Sequence, residues 1–160
     1  MDKFEELAFA RHHGLPTRLL DWSYSIYIAA FFAFSSSYVR GYDGDIAIYA
    51  LNIKAPIISE TCGVNIIQPR SSTNYRQKYQ QSLYTLLKTY HNSLDEYIEE
   101  YERGCNSSAN EPVLYKLHLP GCEASKALID LNYMNVNYSV LFGDADGYVQ
   151  NTMIRYILNK

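Results

Sequence analysis

A chain of 160 residues, 48% hydrophobic and 19% charged, is long enough to bury one core and polar enough to remain dispersed. Its formal net charge of -3 gives neither a nucleic-acid backbone nor an anionic membrane an electrostatic reason to be the main partner. The most apolar run, residues 26–34, is about half of the roughly 20 residues that a membrane-spanning helix needs. No basic leader with an apolar signal core is evident, so a cytoplasmic protein is expected. Cys62, Cys105 and Cys122 are far apart and form no Cys-x-x-Cys pair, which predicts free thiols rather than a disulfide framework or zinc site.

In chain order, Phe4, Leu7 and Ala8 stand at helical spacing and predict a short helix leading to His12. The stretch His12-His-Gly-Leu-Pro-Thr-Arg-Leu-Leu-Asp-Trp22 then gathers two histidines, a threonine, an arginine, an aspartate and the single tryptophan. Pro16 biases Leu15 toward extended backbone and Gly14 permits a reversal, so this stretch is predicted as an ordered, polar-lined loop with Leu19 and Leu20 in the core. Ser23 to Phe34 has no polar stripe and predicts a helix buried nearly all round, with Ser23 or Ser25 as its N-cap.

After the turn at Gly41–Gly44, residues 45–53 predict a central strand covered on both sides, with the preceding helix against its sheet. A short strand is expected at Val64–Ile67. Asn74 to Gln81 predicts a loop carrying Arg76, Gln80 and Gln81 into a strand near Leu83–Leu87. Ser93-x-x-Glu96 is a capping box opening an amphipathic helix over 93–103, whose acidic residues read as its solvated face. A strand over 113–119 and a short helix over 123–131 follow. The last helix is given a buried stripe of Val149, Met153, Tyr156 and Ile157, with Asp144 and Asp146 at its N-terminus, favoured there by its dipole. The sum is an α+β fold, a small mixed or antiparallel sheet with flanking helices.

The chemistry concentrates in two polar segments. Arg18 and Arg76 are planar five-donor groups suited to a pyrophosphate or carboxylate, and Thr17, Asp21 and Ser23 suit ribose hydroxyls. Trp22 offers a stacking face, and His12 a proton carrier near neutral pH. The plainer reading of the same residues is structural: Arg18 stapled to Asp21, Trp22 in the core. No Gly-x-Ser-x-Gly elbow appears, no cysteine has an activating setting, and adjacent His12 and His13 point apart, so neither a serine or cysteine nucleophile nor a metal is predicted.

Ala10-Arg-His-His-Gly-Leu-Pro-Thr-Arg-Leu-Leu-Asp-Trp-Ser23, with Ala30-x-Phe-Ala33, resembles the signature of the FRG domain family. Asn74-x-Arg76-x-x-x-Gln80-Gln81-Ser82-x-Tyr84 and Leu141-Phe-Gly-Asp-Ala-Asp-Gly147 resemble its second and third motifs, the latter with Gly143 in place of the usual proline. Arg11, His13 and Ser23 also replace the usual glutamine, tyrosine and threonine. The Phe-Arg-Gly segment that names the family would precede Met1, so the resemblance implies one FRG-type domain over 1–160 lacking its N-terminal portion.

The family is similar at fold level to ADP-ribosyltransferase-like domains, which hold NAD in a cleft and stabilise a ribosyl cation with a glutamate. The matching place here holds Gln80 and Gln81, which carry no charge. The resemblance therefore implies a domain binding a nucleotide-like ligand, NAD in particular. It extends to an ADP-ribosyltransferase-like or NAD glycohydrolase effector in bacterial or phage conflict, with His12 and Asp21 as catalytic residues. Thr17, Arg18, Trp22, Ser23, Arg76, Gln80 and Gln81 would hold the ligand. The alternative is a non-catalytic ligand-sensing or protein-interaction module.

Overall fold

A computed structural model describes residues 6–7, 10–11, 15–68, 75–104 and 111–158. In order these form β1 (Leu19–Ser23), α1 (Ile26–Arg40), β2 (Asp45–Leu51), a 3-10 turn (Glu60–Cys62), β3 (Val64–Ile67), α2 (Tyr75–Tyr79), β4 (Ser82–Leu87), α3 (Leu94–Gly104) and β5 (Leu114–Pro120). A second 3-10 turn (Gly121–Glu123) leads into α4 (Ala124–Tyr133), α5 (Tyr138–Phe142) and α6 (Ala145–Leu158). The fold is α+β, as expected. The chain divides into two compact units. One comprises Met1–Trp22, Tyr49–Pro69 and Leu83–Lys116, and the other Ser23–Ile48, Arg70–Ser82 and Leu117–Lys160.

In the first unit a three-stranded sheet runs in the order β1-β4-β3. β4 takes the centre because its sequence is apolar on both faces, and Leu83, Tyr84, Thr85 and Leu87 are all buried. It pairs antiparallel with β3, Val64 opposite Leu87 and Ile67 opposite Tyr84. The main core gathers Ile57, Ile58, Val64, Leu87, Leu94, Ile98 and Val113, with Trp22 packed against it. α3 joins through Leu94 and Ile98, its apolar stripe. Half of its capping box forms: the Glu96 N–H donates to Ser93 Oγ at 3.3 Å, while Glu96 Oε2 reaches past Ser93 and accepts from the Asn92 N–H at 3.1 Å.

In the second unit α1 packs on α4, and α6 and α2 on α5. The core there comprises Ile28, Phe31, Phe34, Ala124, Leu128, Leu131 and Leu141. Ser25 is the N-cap of α1, its side chain accepting from the Ile28 N–H. Among the described residues β2 and β5 pair with each other alone, and each strand contributes residues to both units. The bonds from Asn52 N–H to the Val113 carbonyl (2.8 Å) and from Gly121 N–H to the Gly44 carbonyl (3.0 Å) fix that pair as antiparallel.

Several sequence expectations are corrected. Residues 19–23 are strand, not loop, and strand alternation turns Leu19 inward and leaves Leu20 45% exposed. β2 is one of two strands, so it is not a covered central strand. α1 is not buried all round, since Ile26, Tyr27 and Val39 are more than half exposed and only the Ile28-Phe31-Phe34 face enters the core. The stripe assigned to α6 faces outward at Val149, Met153 and Tyr156, while Gly147 and Ile154 are buried. Arg76 lies on the short helix α2 rather than in a loop. α5 was not expected at all, and Asn137 caps it by accepting from the Val140 N–H.

Gly143 closes α5 in the left-handed conformation, φ 65°. A proline, fixed near φ -65°, cannot take this backbone, which accounts for the departure from the resembled motif. A Cβ there would also collide with the Tyr75 ring. Gly143→Ala is expected to cost about 1–3 kcal/mol, from the left-handed backbone and displacement of the ring. Urea unfolding of the two proteins measures it.

Candidate functional site

The sequence-predicted residues fall in both units. Thr17, Arg18, Asp21 and Trp22 belong to the first, and Ser23, Arg76, Gln80 and Gln81 to the second. His12 lies outside the described residues.

In the second unit Ser23 Oγ donates to the Gln80 carbonyl at 2.8 Å and accepts from the Ser25 N–H at 3.2 Å, so it orders the turn into α1. Gln80 Nε2 donates to the Leu141 carbonyl at 3.2 Å. Gln81 sits at φ 50°, its carbonyl accepting from the Tyr24 N–H. Arg76 pairs with Asp144 and lies over the Phe142 ring, 5.0 Å from its centroid. Asp144 Oδ1 accepts from the Gly147 N–H at 2.8 Å, the helix-start role expected from its position. These bonds bring Ser23 to Gln80, and Arg76 to α5 and α6, through contacts that stabilise the fold.

The Arg76 guanidinium, and next the Gly147 N–H, hold the Asp144 carboxyl below its ordinary pKa of 3.8. Its stabilising contribution is therefore complete above that value and is lost as the pH falls below it. Asp144→Asn keeps an acceptor for the Gly147 N–H but removes the negative charge that faces Arg76. The stability gap between wild type and Asp144→Asn, measured by urea unfolding across pH 3–7, is expected to be widest near neutrality and to narrow in acid.

In the first unit Asp21 is held by Arg11 at 2.5 Å, not by Arg18 as the plainer reading supposed. Trp22 packs against the core and its Nε1 donates to Thr85 Oγ1 at 3.0 Å. Thr17 Oγ1 accepts from the Leu19 N–H at 3.4 Å. Arg18 is exposed, and its Nη2 donates a long 3.5 Å bond to the Thr89 carbonyl.

Thr89 leads to a feature absent from the sequence reading. It lines an open cleft of about 750 Å³ together with Cys62, Lys88, Tyr90, His91, Tyr97 and Glu100. His91 is 4% exposed. Its Nδ1 lies 3.0 Å from Thr89 Oγ1 and its Nε2 2.8 Å from Glu100 Oε2. The ring stacks on Tyr90, centroids 4.2 Å apart, and leans on Tyr97 at 4.9 Å. The Tyr97 hydroxyl donates to the Cys62 carbonyl at 2.6 Å, tying α3 to the turn beneath the cleft.

The bond from His91 is the main cause holding the Glu100 carboxyl below its ordinary range. An ionised Glu100 demands a proton on Nε2, so in the neutral ring Nδ1 is left as an acceptor for Thr89. The acidic face of α3 is thus not merely solvated: Glu100 holds His91, Glu96 caps the helix, and Glu102 accepts from the Val113 N–H at 2.8 Å. His91 lay between two predicted elements without a motif, and only its distance of nine residues from an α3 glutamate hinted at the pairing.

The FRG domain family model matches residues 1–40. The opening quarter of the chain is similar to the FRG domain. The matched residues carry the first signature and, from Thr17 to Ser23, five of the nine predicted site residues. No curated protein and no solved structure matches the chain. No helix among the described residues is long and apolar enough to cross a membrane.

Proposed function

We propose that this FRG-type chain binds an anionic, nucleotide-like ligand, with NAD as the first candidate, and that Arg18 anchors its phosphates. The observation that carries the reading is the position of Arg18. Its guanidinium is exposed, has one long contact to Thr89, and so borders a cleft lined by that residue. Arginine presents paired donors that match phosphate oxygens. Tyr90 and Tyr101 in the same cleft offer ring faces to a base. Thr17, Asp21 and Trp22, on the segment that delivers Arg18, position it and have polar atoms already committed to the fold.

Binding is favoured over turnover on the same grounds. The Asp21 charge faces Arg11, and Gln80 and Ser23 are engaged with one another. An ADP-ribosyltransferase-like or NAD-consuming effector role in bacterial or phage conflict would require Asp21 to exchange Arg11 for a ribosyl cation.

Thermal unfolding in the presence of NAD, ADP-ribose or AMP tests the proposal. A ligand at about 100 times its Kd stabilises the native state by about 2.7 kcal/mol. Wild type is expected to show that upward shift and Arg18→Ala to lose most of it, while the two ligand-free transitions agree closely because the Arg18 contact is exposed and long. No shift with any nucleotide favours the protein-interaction module instead, and release of nicotinamide from NAD would restore the catalytic reading.

A further inference from the structure

The cleft of the first unit holds an arrangement that ligand binding does not use. Thr89 Oγ1, His91 and Glu100 form a continuous line of hydrogen bonds, 3.0 Å from hydroxyl to Nδ1 and 2.8 Å from Nε2 to carboxylate. This is the order nucleophile, base, orienting acid, which chemistry recognises by geometry and not by spacing in the chain. We propose that Thr89 is a nucleophile activated by His91, and that the cleft hydrolyses small esters with an aromatic leaving group.

Three features make this more than a local turn. First, the protonation pattern has the right sense. The Glu100 carboxylate fixes the proton on Nε2 and leaves the Nδ1 lone pair facing the Thr89 hydroxyl. The His91 N–H points at the same oxygen from 3.4 Å, so one lone pair of Thr89 accepts while its own proton is directed to the ring.

Second, the rotamer of Thr89 is held. Its methyl group packs against Gly63, where even one added Cβ would lie 2.7 Å from Thr89 Cγ2. Gly63 is at φ 81°, and its carbonyl accepts from the Lys88 N–H at 2.7 Å, fixing it beside Thr89. With the methyl pressed against Gly63, the hydroxyl faces His91.

Third, the buried imidazole is clamped between Tyr90 and Tyr97, while Thr89 and Glu100 remain accessible from the open cleft. The exposed ring of Tyr90 offers a stacking surface for an aryl group, and Arg18, whose Nη2 reaches the Thr89 carbonyl, supplies positive charge beside that residue for the oxyanion that forms.

The step balances without a co-reactant other than water. Thr89 Oγ attacks the ester carbonyl carbon as its proton passes to His91 Nδ1, and Glu100 stabilises the imidazolium. The bond to the leaving oxygen breaks, and the proton goes to the departing alcohol or phenol. Water, deprotonated by the same nitrogen, then attacks the threonyl ester and releases the acid with Thr89 regenerated. His91 and Thr89 are the catalytic residues, and Glu100 is a positioning residue.

The probe is p-nitrophenyl acetate, with the full chain and no nucleotide present, so the outcome is independent of the ligand reading. Wild type is expected to release p-nitrophenol faster than the uncatalysed ester, with an acetyl group found on Thr89 by mass spectrometry after a rapid quench. Thr89→Val keeps the shape against Gly63 and lacks the nucleophile, and is expected to lose about 100-fold or more in kcat/KM. Thr89→Ser should restore much of it. Glu100→Gln, at an exposed position, should lower kcat with KM little changed. Absence of turnover by wild type overturns the proposal. So does a Thr89→Val protein that folds and retains full activity, because the hydrolysis would then belong to the histidine alone. If Thr89→Val fails to fold, a Glu100→Gln kcat equal to wild type is the overturning result.

Discussion

An indole packed against an apolar core must still find an acceptor for its N–H, and Trp22 finds it in Thr85, at the centre of β4. Thr85 is 2% exposed, so its hydroxyl needs the same bond for its own satisfaction. The pairing fixes β1 against β4, which in turn carries β3 on its other edge. One side of the first unit's cleft hangs from this sheet. Arg18 lies just before β1, and Lys88, Thr89 and His91 just after β4. The long bond from Arg18 to the Thr89 carbonyl is a consequence of bringing those two strand ends together.

α3 completes the cleft by an independent route. Its apolar stripe, Leu94 and Ile98, docks in the core and sets the rotation of the helix. That rotation brings Tyr97 against His91 and Glu100 to its Nε2, while Glu102 reaches the Val113 N–H. A buried histidine with both nitrogens matched is a polar group fully accounted for in a region of low dielectric, which rigidifies the chain around it. It also fixes which nitrogen bears the proton, a property on which acid-base chemistry depends.

The second unit answers a different constraint, the termination of a short helix. α5 is only five residues long and cannot stand by propensity alone. Asn137 caps its start, left-handed Gly143 closes it, and Gln80 donates to its Leu141 carbonyl. Arg76 reaches past Phe142 to Asp144, which begins α6. The second and third polar motifs are therefore joined by hydrogen bonds and a charge pair, and much of what looks like ligand chemistry in sequence is spent on holding α2, α5 and α6 together.

By itself the sequence determined the α+β class, the start of α3, β3, the strand near 83–87 and the likeness of the opening segment to the FRG domain, because each is written in local pattern or contiguous motif. It mistook the run at 19–23 for a loop, since proline, glycine and polar residues just upstream outweighed a short strand whose partner lies over sixty residues away. It placed Leu20 inside and turned Val149, Met153 and Tyr156 of α6 inward, because periodicity shows that a face is apolar but not whether another element covers it. Only the tertiary structure decided that Arg11 and not Arg18 meets Asp21, and that an acidic face supplies a partner for His91. Those pairings join neighbouring elements rather than positions within one, so no helical or strand period announces them. The residues were all visible, but the distances that turn Thr89, His91 and Glu100 into one line exist only after β4 and α3 have packed on the same core.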